Sequence, residues 1–259
     1  MNFDEVKSKV RSQFGASAEL YATSDVHAKG ESLSILLELI KPKQDWYVLD
    51  VATGAGHTAF TFAPYVKRVV AIDLTEEMLV KCNELATRRG ITNFETKNAD
   101  AEDLPFDDSM FDLVTCRLAL HHFPNPDRAL NEFNRVLKSG GVLGLTDNIT
   151  VSDEIAGKYY NEYEKLRDPS HHWVFHLEEL LKMLKKSNFN PIDTHILSKE
   201  FEFNEWADRQ HVSESDKKQL LVMMRNIPKI LNSFVSPRWI KNSLYFSLRE
   251  VVVVAHKLL

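Results

Sequence analysis

A turn of small residues stands between a predicted strand and a predicted helix near the start of the chain. It reads Val48-Leu49-Asp50-Val51-Ala52-Thr53-Gly54-Ala55-Gly56-His57-Thr58-Ala59. Gly54 and Gly56 let a ligand come close to the backbone, and the first helical turn presents N–H donors that lack partners within the helix. Gly54, Gly56 and Ala59 match a dinucleotide fingerprint, with Asp73 as the acid 19 residues beyond Gly54. The pattern predicts a nucleotide-containing ligand, although a small-residue turn without function also fits it.

Acidic side chains accompany three successive predicted strands. Asp50 ends the first strand, Asp73 ends the second, and Asp100 follows the third, directly before Ala101. In parallel sheets ligands bind at the carboxyl ends of the strands, so these side chains are expected at one edge. A carboxylate at Asp50 suits an ammonium group, one at Asp73 suits ribose hydroxyls, and Asp100 with Ala101 suits an adenine ring.

The elements that must position these residues alternate along the chain. Strands are predicted at residues 47–51, 68–73, 94–97, 111–116, 142–147, 192–203 and 249–256, and helices at 58–65, 75–89, 127–138, 152–166 and 176–186. Repeated strand–helix–strand units imply right-handed parallel crossovers. The predicted fold class is therefore α/β, with a doubly wound, mostly parallel sheet of seven strands.

The two ends of the chain are predicted to cover this sheet. We expect one domain over residues 1–259, with an N-terminal helical segment at 1–45, a cofactor-binding core at 46–150 and a C-terminal part at 151–259. A helical insertion at 204–245 separates the last two predicted strands. It is not expected to enter the sheet, so it should pack over the carboxyl edge and form a helical cap together with the N-terminal segment.

Two further motifs lie within the predicted core at residues 46–150. They read Phe111-Asp112-Leu113-Val114 and Arg135-Val136-Leu137-Lys138-Ser139-Gly140-Gly141. With the glycine turn and the strand-end acids, they resemble class I S-adenosylmethionine-dependent methyltransferases of the type that includes the ubiquinone/menaquinone biosynthesis enzymes. The resemblance covers about residues 40–150, and Phe14, Ala18 and Tyr21 resemble the family's N-terminal segment. Ala52 departs from it, since the family usually has glycine there; alanine is tolerable if the local φ is negative.

The resemblance implies S-adenosylmethionine as the cofactor and a Rossmann-like methyltransferase fold. The cofactor-binding residues it implies, including the turn positions, are Asp50, Ala52, Gly54, Gly56, Asp73, Leu74, Met78, Asp100, Ala101 and Arg117. The turn backbone would lie against the methionyl part, Asp73 would bind the ribose, and Arg117 would face the methionyl carboxylate. Leu74 and Met78 would line the ribose and adenine pocket, although a methionine at helical spacing also fits an ordinary core position.

The candidates for catalysis are His121 and His122, which follow the fourth predicted strand. Methyl transfer from a sulfonium needs a base only when the acceptor must lose a proton, and a neutral imidazole suits that task. Because neighbouring residues point in different directions, at most one of the two is expected to face the site. Packed or solvated loop histidines remain an equal alternative, in which case alignment and desolvation supply the rate.

Other reactive side chains do not form a recognisable centre. His171, His172 and His176 lie close in sequence, but no acid or cysteine completes a zinc set, so no metal is predicted. Cys82 and Cys116 match no metal motif and are expected to be buried small hydrophobic residues.

Composition excludes several classes of protein. Hydrophobic residues make up 44% and charged residues 27%, the mixture of a globular chain. The net charge of −5 argues against nucleic acid as a partner. No targeting signal is evident, and the apolar runs at 33–40 and 251–255 are too short for a membrane span. A cytoplasmic location is expected, and the oligomeric state is left open.

The leading hypothesis is S-adenosylmethionine-dependent methyl transfer to a small, apolar or aromatic acceptor. A nicotinamide-dependent oxidoreductase and a non-catalytic S-adenosylmethionine-binding protein are the alternatives. Residues 217–241 of the insertion carry six basic and no acidic side chains among apolar ones. They fit either a cap facing a lipophilic acceptor or an ordinary amphipathic helix with a solvated basic face.

Overall fold

The computed structural model describes residues 3–22 and 30–258, without the side chains of residues 20–22, so the side chain of Tyr21 lies outside the description. The helices are α1 (Phe3–Ala22), α2 (Glu31–Ile40), α3 (His57–Phe62), α4 (Glu76–Arg88), α5 (Pro126–Val136), α6 (Glu154–Arg167), α7 (Leu177–Lys186), α8 (Phe203–Asp208), α9 (Glu214–Arg225) and α10 (Lys229–Val235). Short 3-10 turns occupy Ala63–Tyr65 and Leu120–His122.

The strands are β1 (Tyr47–Val51), β2 (Arg68–Asp73), β3 (Phe94–Asn98), β4 (Phe111–Arg117), β5 (Leu137–Ile149), β6 (Phe189–Glu202), β7 (Arg238–Ile240) and β8 (Ser243–Lys257). Seven of them form one sheet in the order β3-β2-β1-β4-β5-β8-β6, and β7 pairs only with β8. The ladders among β1 to β5 are parallel, whereas β8 runs antiparallel to both β5 and β6. The predicted doubly wound, mostly parallel α/β fold is confirmed.

Helices cover both faces of the central strands. Apolar side chains of α5 and α7 pack on one face, and those of α2, α3 and α4 pack on the other. Burial on both sides explains why the central strands are apolar along their length. A separate apolar cluster joins α6 to the helices of the insertion and to the first half of β8.

The last strand begins much earlier than predicted. β8 starts at Ser243 rather than at Arg249, and its first residues pair with β7. Leu244, Phe246 and Leu248 alternate with more exposed neighbours and pack into the insertion's own core. The expectation that the insertion stays out of the sheet is therefore wrong for Arg238–Ile240. These residues form the short strand β7, which pairs with the first residues of β8.

Contacts between the two ends of the chain place them over the same edge of the sheet. The Gln13 side-chain amide of α1 donates to Gln210 Oε1 in the insertion at 2.7 Å. None of the described helices combines the length and the apolar character needed to cross a membrane.

Candidate active site

A cavity lies over the carboxyl ends of β1, β2, β4 and β5, where the order of the strands reverses. Such a switch point is where open α/β sheets bind their ligands. Ten of the predicted site residues line it: Ala52, Gly54, Asp73, Leu74, Met78, Asp100, Ala101, Arg117, His121 and His122. The other two, Asp50 and Gly56, lie behind the turn. The fold therefore brings most of the predicted residues together around one space.

The two glycines of the turn are required for different reasons. Gly54 has a φ of +53° and no atom within 4 Å of the position where a Cβ would stand, so its backbone stays open to the cavity. Gly56 has a φ of +88°, and a Cβ there would lie 2.4 Å from the Cys82 sulfur. Gly54 thus keeps the ligand side clear, whereas Gly56 lets α3 begin directly against α4.

The φ of Ala52 is +52°, so a negative φ, the condition under which alanine is readily tolerated at this position, is not met. The chain must turn sharply here, since the next residue, Thr53, donates its N–H to Ile72 O on the neighbouring strand at 2.9 Å. A left-handed conformation costs a non-glycine residue about 1–2 kcal/mol. Ala52 therefore stores strain at the floor of the cavity.

Asp50 braces the turn from beneath. Its Oδ2 accepts from the Thr53 hydroxyl at 2.6 Å and from the Ala59 N–H at 3.2 Å, and its Oδ1 accepts from the Thr115 hydroxyl at 2.7 Å. The side chain is buried, and burial raises its pKa to about 6, although these hydrogen bonds oppose the shift. Asp50 holds β1, the turn and β4 together instead of lining the cavity.

Asp73 joins the glycine turn to the start of α4. Its Oδ2 accepts from the Gly54 N–H at 2.8 Å, and its Oδ1 accepts from the Thr75 N–H at 2.9 Å. Burial raises the pKa of Asp73 against the opposing effect of these backbone donors. Thr75 is the N-cap residue of α4, and its side chain makes no capping hydrogen bond to the helix.

Asp100 is tied to the N-terminal helix. Its Oδ2 lies 2.7 Å from Lys7 Nζ, and its Oδ1 accepts from the Glu102 N–H at 2.9 Å. Lys7 also pairs with the buried Glu102 carboxylate at 2.7 Å. The sequence offered no local signal for Lys7, because only the docking of α1 brings it to the third strand's end.

Arg117 is buried at the end of β4. Its Nε donates to the Thr58 hydroxyl at 3.0 Å, beside the start of α3. Burial lowers its pKa, and the nearby carboxylates of Glu250 and Asp50 act in the opposite direction. A positive charge thus lies beside the glycine turn, on the side of the cavity formed by β4 and β8.

His121 is held by Asp147, which lies near the end of β5. Its Nδ1 lies 2.5 Å from Asp147 Oδ1, and its backbone N–H donates to Asp147 Oδ2 at 2.9 Å. Burial lowers the pKa of His121, but the charge and hydrogen bond of Asp147 outweigh burial, and the net shift is upward. Because Nδ1 is engaged, Nε2 is the ring nitrogen left for a molecule in the cavity. Asp147 was missed as a site residue, although it ends the strand predicted at 142–147, as Asp73 ends β2.

His122 occupies a different environment beside it. Its Nδ1 lies 3.2 Å from Ser170 O, and Phe14 of α1 packs edge-on against the ring. Burial and the neighbouring His121 lower its pKa to about 4. The expectation that at most one of the two histidines faces the site is wrong: both line the cavity, with ring centroids 4.1 Å apart, because the 3-10 turn carries them to the same side.

His171 and the two cysteines are buried in the structure. His171 Nε2 lies 2.9 Å from Asn161 Oδ1, and burial lowers its pKa well below the ordinary value. Both cysteines are buried, and burial raises their pKa values. Within the part of the chain that the structure describes, no three His, Cys, Asp or Glu side chains are placed to hold a metal ion.

The far end of the cavity comes from residues that the sequence did not single out. They are Arg167, Lys199, Phe201, Trp206, Arg209, Gln210, Leu248 and Glu250. Lys199 and Glu250 form an ion pair across the β6–β8 ladder. These residues belong to α6, β6, β8 and the insertion, so their convergence depends on how the insertion packs over the edge of the sheet.

Comparison with known proteins matches this architecture. A family model described as a methyltransferase domain matches residues 49–145. The uncharacterized methyltransferase YcgJ of Bacillus subtilis is 32% identical over 213 residues, covering 82% of this chain and 84% of that protein. A candidate methyltransferase from Bacillus halodurans C-125, known from its crystal structure, superposes with a TM-score of 0.85 at 37% identity. That match covers 89% of this chain and all of the other.

A shorter alignment relates part of the chain to a protein whose reaction is named. The ubiquinone/menaquinone biosynthesis C-methyltransferase UbiE of Brucella canis is 37% identical over 122 residues, 46% of this chain and 45% of that protein. The similarity to that enzyme covers less than half of either chain.

Proposed function

The chain belongs to the S-adenosylmethionine-dependent methyltransferase family, and we propose that it methylates a small molecule with a largely apolar or aromatic body. The observation that carries the proposal is one cavity bordered by the glycine turn and strand-end acids on one side and by His121 on the other. The family assignment favours this hypothesis over a nicotinamide-dependent oxidoreductase.

The residues present fit the cofactor. The space beside Gly54 is open, and Asp73 and Asp100 stand at adjacent strand ends facing the same cavity. We assign the turn backbone and Arg117 to the methionyl part, Asp73 to the ribose, and Asp100 with Ala101 to the adenine. Leu74 and Met78 supply apolar contacts, whereas Asp50, Ala52 and Gly56 shape the turn.

When bound, S-adenosylmethionine supplies a methyl group activated on a positively charged sulfur. His121 then acts as the base for an acceptor that must lose a proton. Asp147 fixes the ring through Nδ1 and stabilises the protonated imidazole, so that Nε2 takes the proton from the acceptor. His122 is unsuited to this role, since its lowered pKa makes it a weaker base.

The acceptor is enclosed by α1 and the insertion. Aromatic side chains from both segments line the cavity: Phe14 from α1, Trp206 from α8, and Phe201 at the end of β6. The bond between Gln13 and Gln210 joins the two segments over it. An enclosed aromatic wall favours a planar or apolar acceptor and excludes water from the transfer.

Binding and turnover test the proposal separately. Calorimetric titration with S-adenosylmethionine, S-adenosylhomocysteine and NAD should show binding of the first two alone. Thermal unfolding at 100 times the Kd should show a stabilisation of about 2.7 kcal/mol. Release of S-adenosylhomocysteine in the presence of candidate acceptors then distinguishes an enzyme from a protein that only binds the cofactor.

Selective binding of NAD would refute the proposed cofactor. Binding of S-adenosylmethionine without turnover on a broad set of phenols, amines and enolisable carbonyl compounds would favour the non-catalytic alternative. The surface variant Arg128→Gln serves as a control in both measurements, because Arg128 pairs with Asp103 outside the cavity.

A further inference from the structure

The guanidinium of Arg167 is fixed at the far end of the cavity. Arg167 ends α6, and its Nε and Nη2 donate to the backbone carbonyl of Trp206 at 3.3 and 3.1 Å. The guanidinium carbon lies 4.5 Å from the centre of the Trp206 ring, in a cation–π contact. Two hydrogen bonds and an aromatic face therefore hold a side chain that would otherwise be free to rotate.

This cation has no carboxylate partner. Within the described residues no Asp or Glu oxygen lies within 4.0 Å of Arg167, whereas the other acids that line this end of the cavity are engaged. Glu250 pairs with Lys199, and Asp168 accepts from the Ser170 N–H at 2.9 Å and from the Gln210 amide at 3.2 Å. Arg167 thus faces the cavity with its charge not neutralised by direct contact.

Glu164 lies one turn earlier on α6 and forms no ion pair with Arg167 within 4.0 Å. Burial raises the pKa of Glu164, and the charge of Arg167 acts in the opposite direction. The indole N–H of Trp206, beside the guanidinium, is buried and has no acceptor among the described residues. Among the described residues, the Arg167 guanidinium is therefore hydrogen-bonded to a neutral carbonyl and to no carboxylate.

We propose that Arg167 binds an oxyanion, a carboxylate or a phosphate, carried by the methyl acceptor. This rests on the proposed function and narrows its substrate class to small organic acids with a planar or apolar body. Guanidinium groups bind such oxyanions through charge-assisted hydrogen bonds, and Nη1 remains for this purpose because Nε and Nη2 face the Trp206 carbonyl. The aromatic ring of Phe201, which lines the same cavity, would contact the body of the acceptor while Arg167 holds its acidic end.

Matched probes test this assignment on the full-length protein saturated with S-adenosylhomocysteine. Benzoate, phenyl phosphate and benzamide each carry one phenyl ring. They differ in the group attached to it, which is a carboxylate, a phosphate or a neutral amide. We expect at least one anion to bind about tenfold or more tightly than benzamide in calorimetry, as a hydrogen bond to a charged group would give. The anion that binds more tightly identifies the acidic group as carboxylate or phosphate.

Variants then locate the effect. Arg167→Gln should bring the anion down to the affinity of benzamide, Arg167→Lys should keep part of the preference, and Arg128→Gln should leave it unchanged. If the glutamine variant does not fold, the lysine variant and ionic strength still decide, since added salt should weaken the anion and not the amide.

Equal binding of anions and amide, or absence of anion binding, would overturn the assignment, as would an undiminished preference in Arg167→Gln. The affinity for S-adenosylhomocysteine distinguishes an error in the substrate class from an error in the proposed function. If the protein binds S-adenosylhomocysteine but shows no preference for anions, only the substrate class is wrong; if it does not bind S-adenosylhomocysteine, the proposed function itself fails.

Discussion

Asp147 grips His121 through both of its carboxylate oxygens, one on the ring Nδ1 at 2.5 Å and one on the backbone N–H at 2.9 Å. The acid at the end of β5 thereby fixes both the rotation of the imidazole and the turn that carries it. The same contact reverses the effect of burial on the pKa of His121, and Nε2 is the ring nitrogen that Asp147 does not engage.

Asp147→Asn should move the titration of His121 to lower pH. Asp147 raises the pKa of His121 above 6.5, so removal of its charge leaves burial dominant and lowers the pKa. The reactive form is the neutral imidazole, so the wild-type rate should rise with pH through the raised pKa and then level off. In the variant this rise should occur at lower pH, with a reduced plateau because the imidazolium loses its counter-charge. Histidine NMR titration and single-turnover rates measure the two effects; an unmoved midpoint, as expected for the control Asp112→Asn, would contradict the role of Asp147.

His121→Gln should mainly lower the rate of methyl transfer, whereas His122→Gln should mainly lower stability. Loss of a positioned base costs about 10²- to 10⁴-fold in rate, so His121→Gln should slow single turnover by that factor when the acceptor must lose a proton. His122→Gln should mainly lower the melting temperature, since His122 packs against Phe14 and Ser170. Rates within a few-fold of wild type for both variants would leave alignment and desolvation as the whole mechanism.

Asp73→Ala should weaken S-adenosylhomocysteine binding by about 1.5–3 kcal/mol, the value of a hydrogen bond to a charged group. Because Asp73 also accepts from Gly54 and Thr75 N–H groups, the variant should unfold at a lower temperature as well. Calorimetry on the folded fraction separates the two effects. Asp127→Ala, which removes a surface acid paired with Lys186, is the matched control. Unchanged affinity in Asp73→Ala would rule out the ribose assignment.

Ala52→Gly should increase stability. The left-handed φ of +52° costs alanine about 1–2 kcal/mol, and the greater freedom of unfolded glycine offsets about 0.5–1 kcal/mol of the gain. The net rise in the free energy of unfolding should be up to about 1.5 kcal/mol in urea titrations. Ala55→Gly, in the same turn but without a positive φ, should instead destabilise the protein. A loss of stability in Ala52→Gly would show that the turn is not strained.

Asp50→Asn should change how stability depends on pH. The pKa of Asp50 rises from 3.8 unfolded to about 6 folded, so its contribution is fully present below pH 3.8 and is lost as pH rises through 6. Relative to Asp50→Asn, the wild-type free energy of unfolding should therefore fall by about 3 kcal/mol between those pH values, at 1.36 kcal/mol per pKa unit. Urea titrations at pH 4, 5, 6 and 7 measure the difference. Parallel stability curves for the two proteins would show that Asp50 titrates normally in the folded state.

Local patterns in the sequence were enough to predict the core of the fold. Short β-branched runs and amphipathic stretches alternate over residues 46–150, and β1 and β2 begin and end where they were predicted. Strand ends in a parallel sheet converge at one edge, so Asp73 and Asp100 could be placed together before their contacts were known. These features depend on neighbours within a few residues, which is why spacing alone determines them.

The detailed roles of individual residues could not be read in this way. Asp50 and Gly56 belong to the predicted motif, but packing from β4 and α4 puts them behind the cavity. The positive φ of Ala52 follows from the path that the neighbouring strand imposes on the turn. Nothing local distinguishes His121 from His122; only the meeting of the Leu120–His122 turn with β5 gives one of them an acid.

Sequence by itself determined the strand-end side of the cavity, because its residues lie on consecutive strand ends whose arrangement follows from the α/β alternation. The rest of the cavity was decided by tertiary structure. Lys7, Arg167 and Trp206 are far apart in the chain, and they reach one cavity only because α1 and the insertion fold over the same edge of the sheet. Their contacts depend on packing between segments that share no local pattern, so no spacing rule could have brought them together.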